Sequence, residues 1–169
     1  MISELFASSL KRDLLFLTDS RSYSANKKKS GFLDAVAAEG LSVGEDRILY
    51  VKKDIGAVRE LLKSEDLPPF NGIISTEDLI AIGAVKYATD VGRSVPEDLS
   101  VTGYNNYPLA LACEPELTSI DNHMDQICFA TVERILACLQ ENGDQRPARK
   151  RVIPYSIIER KTTDFGKIL

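Results

Sequence analysis

The sequence predicts an α/β fold in which a doubly wound parallel sheet carries helices on both faces. The first observation behind this class is an alternation: short apolar runs and segments with helical periodicity follow each other at least three times. This order is typical of parallel sheets whose crossover helices cover both faces. The second observation is that the first of these runs, 14–17, is apolar at every position, as in a strand that is buried on both faces. The length of 169 residues fits one domain, or one domain and part of another.

Local patterns place the first seven elements. Four short segments are predicted as strands of the sheet: 14–17, 48–51, 72–75 and 99–102. Three segments between them are predicted as helices: 25–39, 58–63 and 77–91. Gly40 is a natural stop for the first helix, and the prolines that follow the second helix end it. Ser75 and Asp78 have the spacing of a capping box at the start of the third helix.

The last third of the chain departs from this alternation. Residues 117–120 are predicted either as a short strand or as an extended crossing segment. A long helix is predicted at 124–140, because its apolar residues recur on one face. That face is formed by Ile127, Phe129, Val132, Ile135, Leu136 and Leu139.

The chain beyond the long helix is predicted to contain one more strand. The polar stretch 141–149 is expected to turn, and 152–158 is expected to form a strand. Pro154 puts that strand at an edge or a bulge, because proline cannot donate a ladder hydrogen bond. The polar tail after Arg160 is expected to fray.

The charge balance and the rare residues exclude several classes of function. Lysine and arginine number 21 and aspartate and glutamate 25, so the net charge is −4, which disfavours a free-standing binder of duplex DNA. The single histidine, His123, excludes metal sites with two or more histidine ligands, and it is predicted to cap or flank the long helix. The glycine-rich motifs that bind nucleotides are absent, and no cofactor is predicted.

Cysteines and hydropathy bear on the compartment. Cys113, Cys128 and Cys138 have no C-x-x-C spacing and are odd in number, so they are predicted to be reduced and buried rather than to form disulfides. No apolar run approaches the roughly 18–20 residues that span a bilayer, and no signal-peptide pattern is visible. We therefore expect a cytoplasmic protein with no membrane partner.

The predicted sheet also indicates where a ligand would bind. In sheets of this kind, ligands bind beyond the carboxyl ends of the strands. The loops at that edge are 18–26, 50–56, 75–78 and 103–107.

Five segments in order carry a resemblance to a known family. They are KKSGF at 28–32, TEDLIAIGA at 76–84, VPEDLSVTGY at 95–104, PELTSI at 115–120 and IERKT at 158–162. In this order and at this spacing they resemble the effector-binding domain of the lactose-repressor-like (LacI/GalR) transcription regulators. The resemblance covers about residues 12–163, and its most specific piece is 95–104.

The resemblance implies a periplasmic binding protein-like fold whose flavodoxin-like second lobe makes up most of this chain. Residues 1–120 would form the carboxyl-terminal lobe, 121–145 the helix that crosses to the amino-terminal lobe, and 146–163 the closing strand. The chain is thus expected to be a truncated two-lobe domain. The amino-terminal lobe and the DNA-reading helix-turn-helix are expected to be absent from it.

The resemblance also implies a site for an effector between the lobes. The family's arginine, asparagine and aspartate at this site correspond to Lys28, Glu77 and Asn105, so the chemistry is rearranged here. Polyols suit such a site, because a hydroxyl group both donates and accepts hydrogen bonds. Arg21 and Ser22 on the first loop are weaker candidates for ligand contact.

Each candidate has a structural alternative. Lys28 belongs to a run of three lysines, which is usually a solvated face. Glu77 and Asp78 could simply complement the dipole of the helix that follows them, and for Asp78 this is the favoured interpretation. Asn105 could be a turn residue in left-handed geometry, and Tyr50 could stack on a ligand or, as we favour, pack against a helix.

Three functions are compatible with the predicted fold. The favoured hypothesis is the effector-sensing and dimerisation part of a LacI-type regulator, not an enzyme, in which ligand binding controls DNA binding. Its expected partners are a sugar or related polyol, with a nucleobase as an alternative, operator DNA through the helix-turn-helix, and a second copy of the chain. A solute-binding protein of a sugar transporter is the alternative. A small enzyme is disfavoured, because no nucleophile is paired with a base.

Overall fold

The computed structural model describes residues 11–140 and 150–164. They form a six-stranded sheet in the order β2-β1-β3-β4-β5-β6. The first five strands are parallel, and β6 pairs antiparallel with β5.

The strands are β1 Leu14–Thr18, β2 Ile48–Tyr50, β3 Gly72–Ser75, β4 Ser100–Tyr104, β5 Thr118–Asp121 and β6 Ser156–Ile158. The helices are α1 Tyr23–Ala38, α2 Ile55–Leu62, α3 Asp78–Asp90, α4 Leu109–Ala112 and α5 Met124–Gln140, and a single 3-10 turn covers Glu45–Arg47. The predicted doubly wound α/β fold is confirmed.

Two apolar layers enclose the sheet. One face packs against α2 and α3, where Leu15 and Ile73 are fully buried. The other face packs against α1, where Phe16 stacks on Phe32 with 5.1 Å between the ring centroids. Because successive strand residues point to opposite faces, a strand covered on both sides must be apolar at consecutive positions.

The parallel register brings the carboxyl ends of the strands to one edge. Thr18 of β1 lies opposite Tyr50 of β2, and Ser75 of β3 lies opposite Leu17. Tyr104 of β4 lies opposite Ile120 of β5. The loops that leave these five strands therefore emerge side by side, and this edge holds the site described below.

Most predicted elements agree with the structure. The segment 117–120, for which two alternatives were open, forms strand β5, and the long helix at 124–140 is confirmed as α5. Only the end of the predicted strand 152–158 is a strand, and β6 lies at the sheet edge as expected. The predicted turn at 141–149 lies outside the described residues.

The expected fraying after Arg160 is wrong for the first residues of the tail. Thr162 is fully buried, and its hydroxyl donates to the carbonyl of Val101 at 2.7 Å and accepts from the backbone N–H of Thr118 at 2.9 Å. It therefore joins β4 to β5 where they begin. A polar residue is stable there because it satisfies two backbone groups that water cannot reach.

The predicted capping box is also wrong. The N-cap of α3 is Glu77, which makes no side-chain capping bond. The Ser75 hydroxyl instead donates to the carbonyl of Glu77 at 2.7 Å and accepts from its N–H at 3.2 Å. Asp78 turns away from the helix backbone and bonds to other elements. The charge of Asp78 thus has a tertiary role in addition to its place in the first helical turn.

The prediction of three buried, reduced cysteines holds in part. All three are free thiols, but only Cys113 is buried, whereas Cys128 is exposed and Cys138 is partly exposed. Cys128 and Cys138 lie on α5, whose apolar face is open in the structure: Phe129 is 67% exposed and Leu139 is 74% exposed.

No helix in the described part of the chain is long and apolar enough to cross a membrane.

Candidate functional site

Polar side chains from five loops meet at the carboxyl edge of the sheet. We call this set the edge cluster; it consists of Asp19 after β1, Lys53 after β2, Glu77 after β3, Asn105 after β4 and Asn122 after β5. Each follows the strand that positions it by one to three residues. The parallel register therefore dictates their proximity.

The edge cluster is a continuous chain of contacts. The ammonium of Lys53 lies 3.5 Å from the Asp19 carboxylate and 3.3 Å from that of Glu77. The Asn105 amide donates to the other oxygen of Glu77 at 2.9 Å, and its own oxygen accepts from the Asn122 amide at 3.0 Å. Burial lowers the pKa of Lys53, but Glu77 and Asp19 together raise it above its ordinary value, so Lys53 stays charged.

Lys28 lies beside this cluster with different partners. Its ammonium donates to the Thr76 carbonyl at 3.0 Å and lies 3.5 Å from the centre of the Tyr104 ring. Burial lowers the pKa of Lys28, which Glu77 and Asp19 raise in part. Within residues 11–140 and 150–164 it has no ion pair with a carboxylate. It lines the cleft described next, where a ligand acceptor can reach it. The alternative of a solvated lysine run does not describe this half-buried side chain.

A small cleft lies between the first loop and the start of α3. Its volume is about 190 Å³, and seven of its eight lining residues are polar or charged. The lining residues are Asp19, Ser20, Ser22, Ser24, Ala25, Lys28, Thr76 and Glu77.

The backbone at Asn105 has the left-handed geometry that was the alternative for this residue. Its φ is 98°, and that of Asn106 is 51°. Asparagine is among the few residues that tolerate positive φ. The turn and the amide contacts are compatible, because the turn directs the Asn105 side chain along the edge toward Glu77.

The remaining candidates are arranged differently. Arg21 lies over the ring of Tyr50, with 4.6 Å between the guanidinium carbon and the ring centre. Neither residue lines the cleft. Ser22 lines it, but its hydroxyl caps α1 by accepting from the Ala25 N–H at 3.2 Å. His123 flanks α5 as predicted, and its carbonyl accepts the Ile127 N–H.

Sequence reasoning missed three members of the edge cluster. Asp19 and Lys53 lie in loops that the predicted topology had selected, and their charge was the signal that could have identified them. Asn122 follows β5, whose nature was left open, so no loop was assigned there. The groups of His, Cys, Asp and Glu in the described residues offer no arrangement that could hold a metal ion.

Comparisons with known proteins agree with this architecture. The family model described as periplasmic binding protein-like domain matches residues 4–163. An HTH-type transcriptional regulator from Lachnoclostridium phytofermentans is 38% identical over 157 residues, which cover 92% of this chain and 46% of the relative. The chain thus spans about half the length of this relative.

Solved structures share the fold. One is a sugar-binding transcriptional regulator of the LacI family from Escherichia coli, solved with phosphate; it has a TM-score of 0.80 and 25% identity, and the match covers 95% of this chain and 58% of that one. Another is the transcriptional regulator CelR in complex with cellobiose, with a TM-score of 0.83 and 20% identity, covering 95% of this chain and 49% of that one.

Proposed function

The chain belongs to the periplasmic binding protein-like family, among the LacI-type transcription regulators, and from this premise we propose that it is the ligand-sensing part of such a regulator. The ligand would be a sugar or related polyol, with a nucleobase as the alternative, bound at the carboxyl edge of the sheet. The observation that carries the proposal is the edge cluster next to the ammonium of Lys28.

The chemistry of this edge suits a hydroxylated ligand. A hydroxyl group needs both an acceptor and a donor, and carboxylate oxygens lie within one cleft with an ammonium and serine hydroxyls. The Glu77 carboxylate and the Asn105 amide already hold each other in position at 2.9 Å. A ligand would therefore meet ordered groups and pay less entropy for arranging them.

The proposed mechanism is a shift between two arrangements of a two-lobed domain. Residues 1–120 and 146–163 would form one lobe, and 121–145 would cross to the other. A ligand held between the lobes would favour one arrangement and so change the spacing of DNA-reading heads elsewhere in the regulator. Operator DNA and a second copy are the macromolecular partners in this proposal. It includes a cytoplasmic location, because such regulators act on DNA, and it gives the chain no catalytic role.

The experiment is a titration of the ¹⁵N-labelled chain, followed by NMR, with cellobiose, ribose and adenine as probes. Since one lobe offers only one wall of the site, we expect weak binding. The dissociation constant should be about 1 mM or higher, which corresponds to a binding free energy of about −4 kcal/mol or weaker. Shifts should centre on the loops of the edge cluster. Shifts confined to the opposite edge of the sheet would contradict the proposal. So would the absence of shifts with either sugar at about 50 mM and with adenine near its solubility limit.

A further inference from the structure

Asp78 is an unusual residue for its position. It is an acid in the first turn of α3, yet it is only 1% exposed. None of the ion pairs within the described residues involves it. Burial raises the pKa of Asp78, while hydrogen bonds from Ser119, Tyr107 and Tyr104 and the charge of Arg160 lower it in part. A buried carboxylate without a paired cation is costly, so its hydrogen bonds must offset that cost.

The carboxylate joins three elements. One oxygen accepts from the backbone N–H of Tyr107 at 2.7 Å, in the loop after β4. The other accepts from the hydroxyl of Ser119 at 2.5 Å, in strand β5. The Ser119 oxygen in turn accepts from the backbone N–H of Asn106 at 3.1 Å. Asp78 therefore holds, directly and through Ser119, two successive backbone donors of that loop.

The space for this contact comes from Gly103. A Cβ atom at this position would overlap the Asp78 carboxylate and would lie 2.8 Å from a methyl carbon of Leu117. Gly40 and Gly92 have positive φ, but Gly103 does not. The missing side chain of Gly103 therefore serves this close approach rather than the backbone conformation.

We propose that Asp78 is a positioning residue of the candidate site. By holding the backbone N–H groups of Asn106 and Tyr107, it fixes the left-handed turn at Asn105 and Asn106. This turn then directs the Asn105 amide toward Glu77 and Asn122.

Two successive non-glycine residues with positive φ persist only where the surroundings hold them. The Asn105 N–H donates to the Ile120 carbonyl at 2.8 Å, and the Asn106 side chain bonds to Asp121 and Arg160. The Asp78 contacts complete these surroundings, because they hold the backbone N–H groups of Asn106 and Tyr107. Asp78 does not line the cleft, so its effect on a ligand is indirect.

The proposal rests on the proposed function only for the consequence that ligand binding depends on this turn. The test therefore has one arm without ligand. In the labelled chain, the Asn105 side-chain amide should show a nuclear Overhauser contact to the Glu77 side chain. Asp78→Ala removes both carboxylate oxygens, whereas asparagine would keep an acceptor for Tyr107. It should abolish the Overhauser contact and shift the Asn106 and Tyr107 amides, while the signals of β1 and β2 stay in place. The control is Asp90→Ala at the other end of α3, where the carboxylate binds Arg59 at 2.8 Å.

Ser119→Ala provides a second variant should Asp78→Ala fail to fold. It removes only the hydroxyl between Asp78 and Asn106. It should also abolish the Asn105 contact, and it should lower the melting temperature by a few degrees because two buried groups lose their partner. In the ligand arm, either folded variant should raise the dissociation constant of a probe that binds this edge by about tenfold. An unaltered Asn105 contact in the folded variants would overturn the positioning role. An altered contact with unaltered ligand affinity would instead count against the proposed function.

Discussion

At the residue scale, the site depends on a few side chains that fit one another closely. Asp78 needs the space above Gly103, and the turn at Asn105 needs the hydrogen bonds of Asp78. Interiors are close-packed, so an added methyl group in such a place forces neighbours to move.

Gly103→Ala should lower the free energy of unfolding by about 1–3 kcal/mol, because the new Cβ collides with Asp78 and Leu117. The measurement is urea denaturation followed by circular dichroism. Gly31→Ala is the matched control, since a Cβ there meets nothing within 4 Å and alanine favours the helix by about 0.5–1 kcal/mol. Equal effects of the two substitutions would contradict this account of Gly103.

The raised pKa of Asp78 predicts a pH dependence of stability. Between the ordinary pKa of an aspartate and the raised pKa in the folded chain, the folded state binds more protons than the unfolded state. Stability contributed by this residue therefore falls as pH rises through that window, and acidification restores it. Urea denaturation from about pH 4 to about pH 7 should show this decline, and the decline should be smaller in Asp78→Asn. Identical pH profiles would refute it.

At the scale of elements, the structure shows which predictions local patterns can support. The predicted strand 72–75 coincides with β3, because the consecutive buried residues Ile73 and Ile74 leave a signal in the sequence itself. The burial of Thr162 leaves no such signal, since its partners Val101 and Thr118 are 61 and 44 residues away. The same reason explains the errors at Asp78 and the omission of Asn122. Their partners come together only through the sheet.

Thr162→Val should therefore destabilise the chain although it adds apolar surface. It leaves the Val101 carbonyl and the Thr118 N–H buried without that partner, at a cost of about 1–3 kcal/mol for each group. Thr131→Val is the control, because the Thr131 hydroxyl is exposed and, among the described residues, donates to the Ile127 carbonyl within its own helix. Chemical denaturation should separate the two variants clearly. If Thr162→Val is as stable as the control, the hydrogen bonds of Thr162 to β4 and β5 do not stabilise the fold.

At the scale of the whole molecule, helix α5 exposes a face of large apolar side chains that no other described element covers. Burial of a large apolar side chain contributes about 1.5–3 kcal/mol, so several exposed ones favour association. The exposed set on this helix comprises Met124, Ile127, Phe129, Val132, Ile135, Leu136 and Leu139. In the proposed regulator this face would lie against the other lobe or a second copy.

The chain alone should therefore associate through α5. Light scattering after size exclusion should give a dimer at micromolar concentration, and the double substitution Phe129→Glu with Leu136→Glu should shift it to monomer. Glu133→Gln on the same helix, where the carboxylate pairs with Arg151 at 3.2 Å, should leave the dimer intact. A monomer whose α5 amides are nonetheless strongly protected from exchange would refute pairing and favour docking within one chain.

The most direct test of the central claim is the affinity of matched lysine and asparagine variants for whichever probe binds the labelled chain most tightly. Lys28→Ala and Asn105→Ala each remove a group at the carboxyl edge and should weaken binding by about tenfold or more, or at least about 1.4 kcal/mol. Lys29→Ala is the control, since the neighbouring Lys29 pairs with Glu45 at 3.1 Å, away from the edge cluster. The account predicts loss of affinity in the first two variants and none in the third. Unchanged affinity in both Lys28→Ala and Asn105→Ala would contradict it.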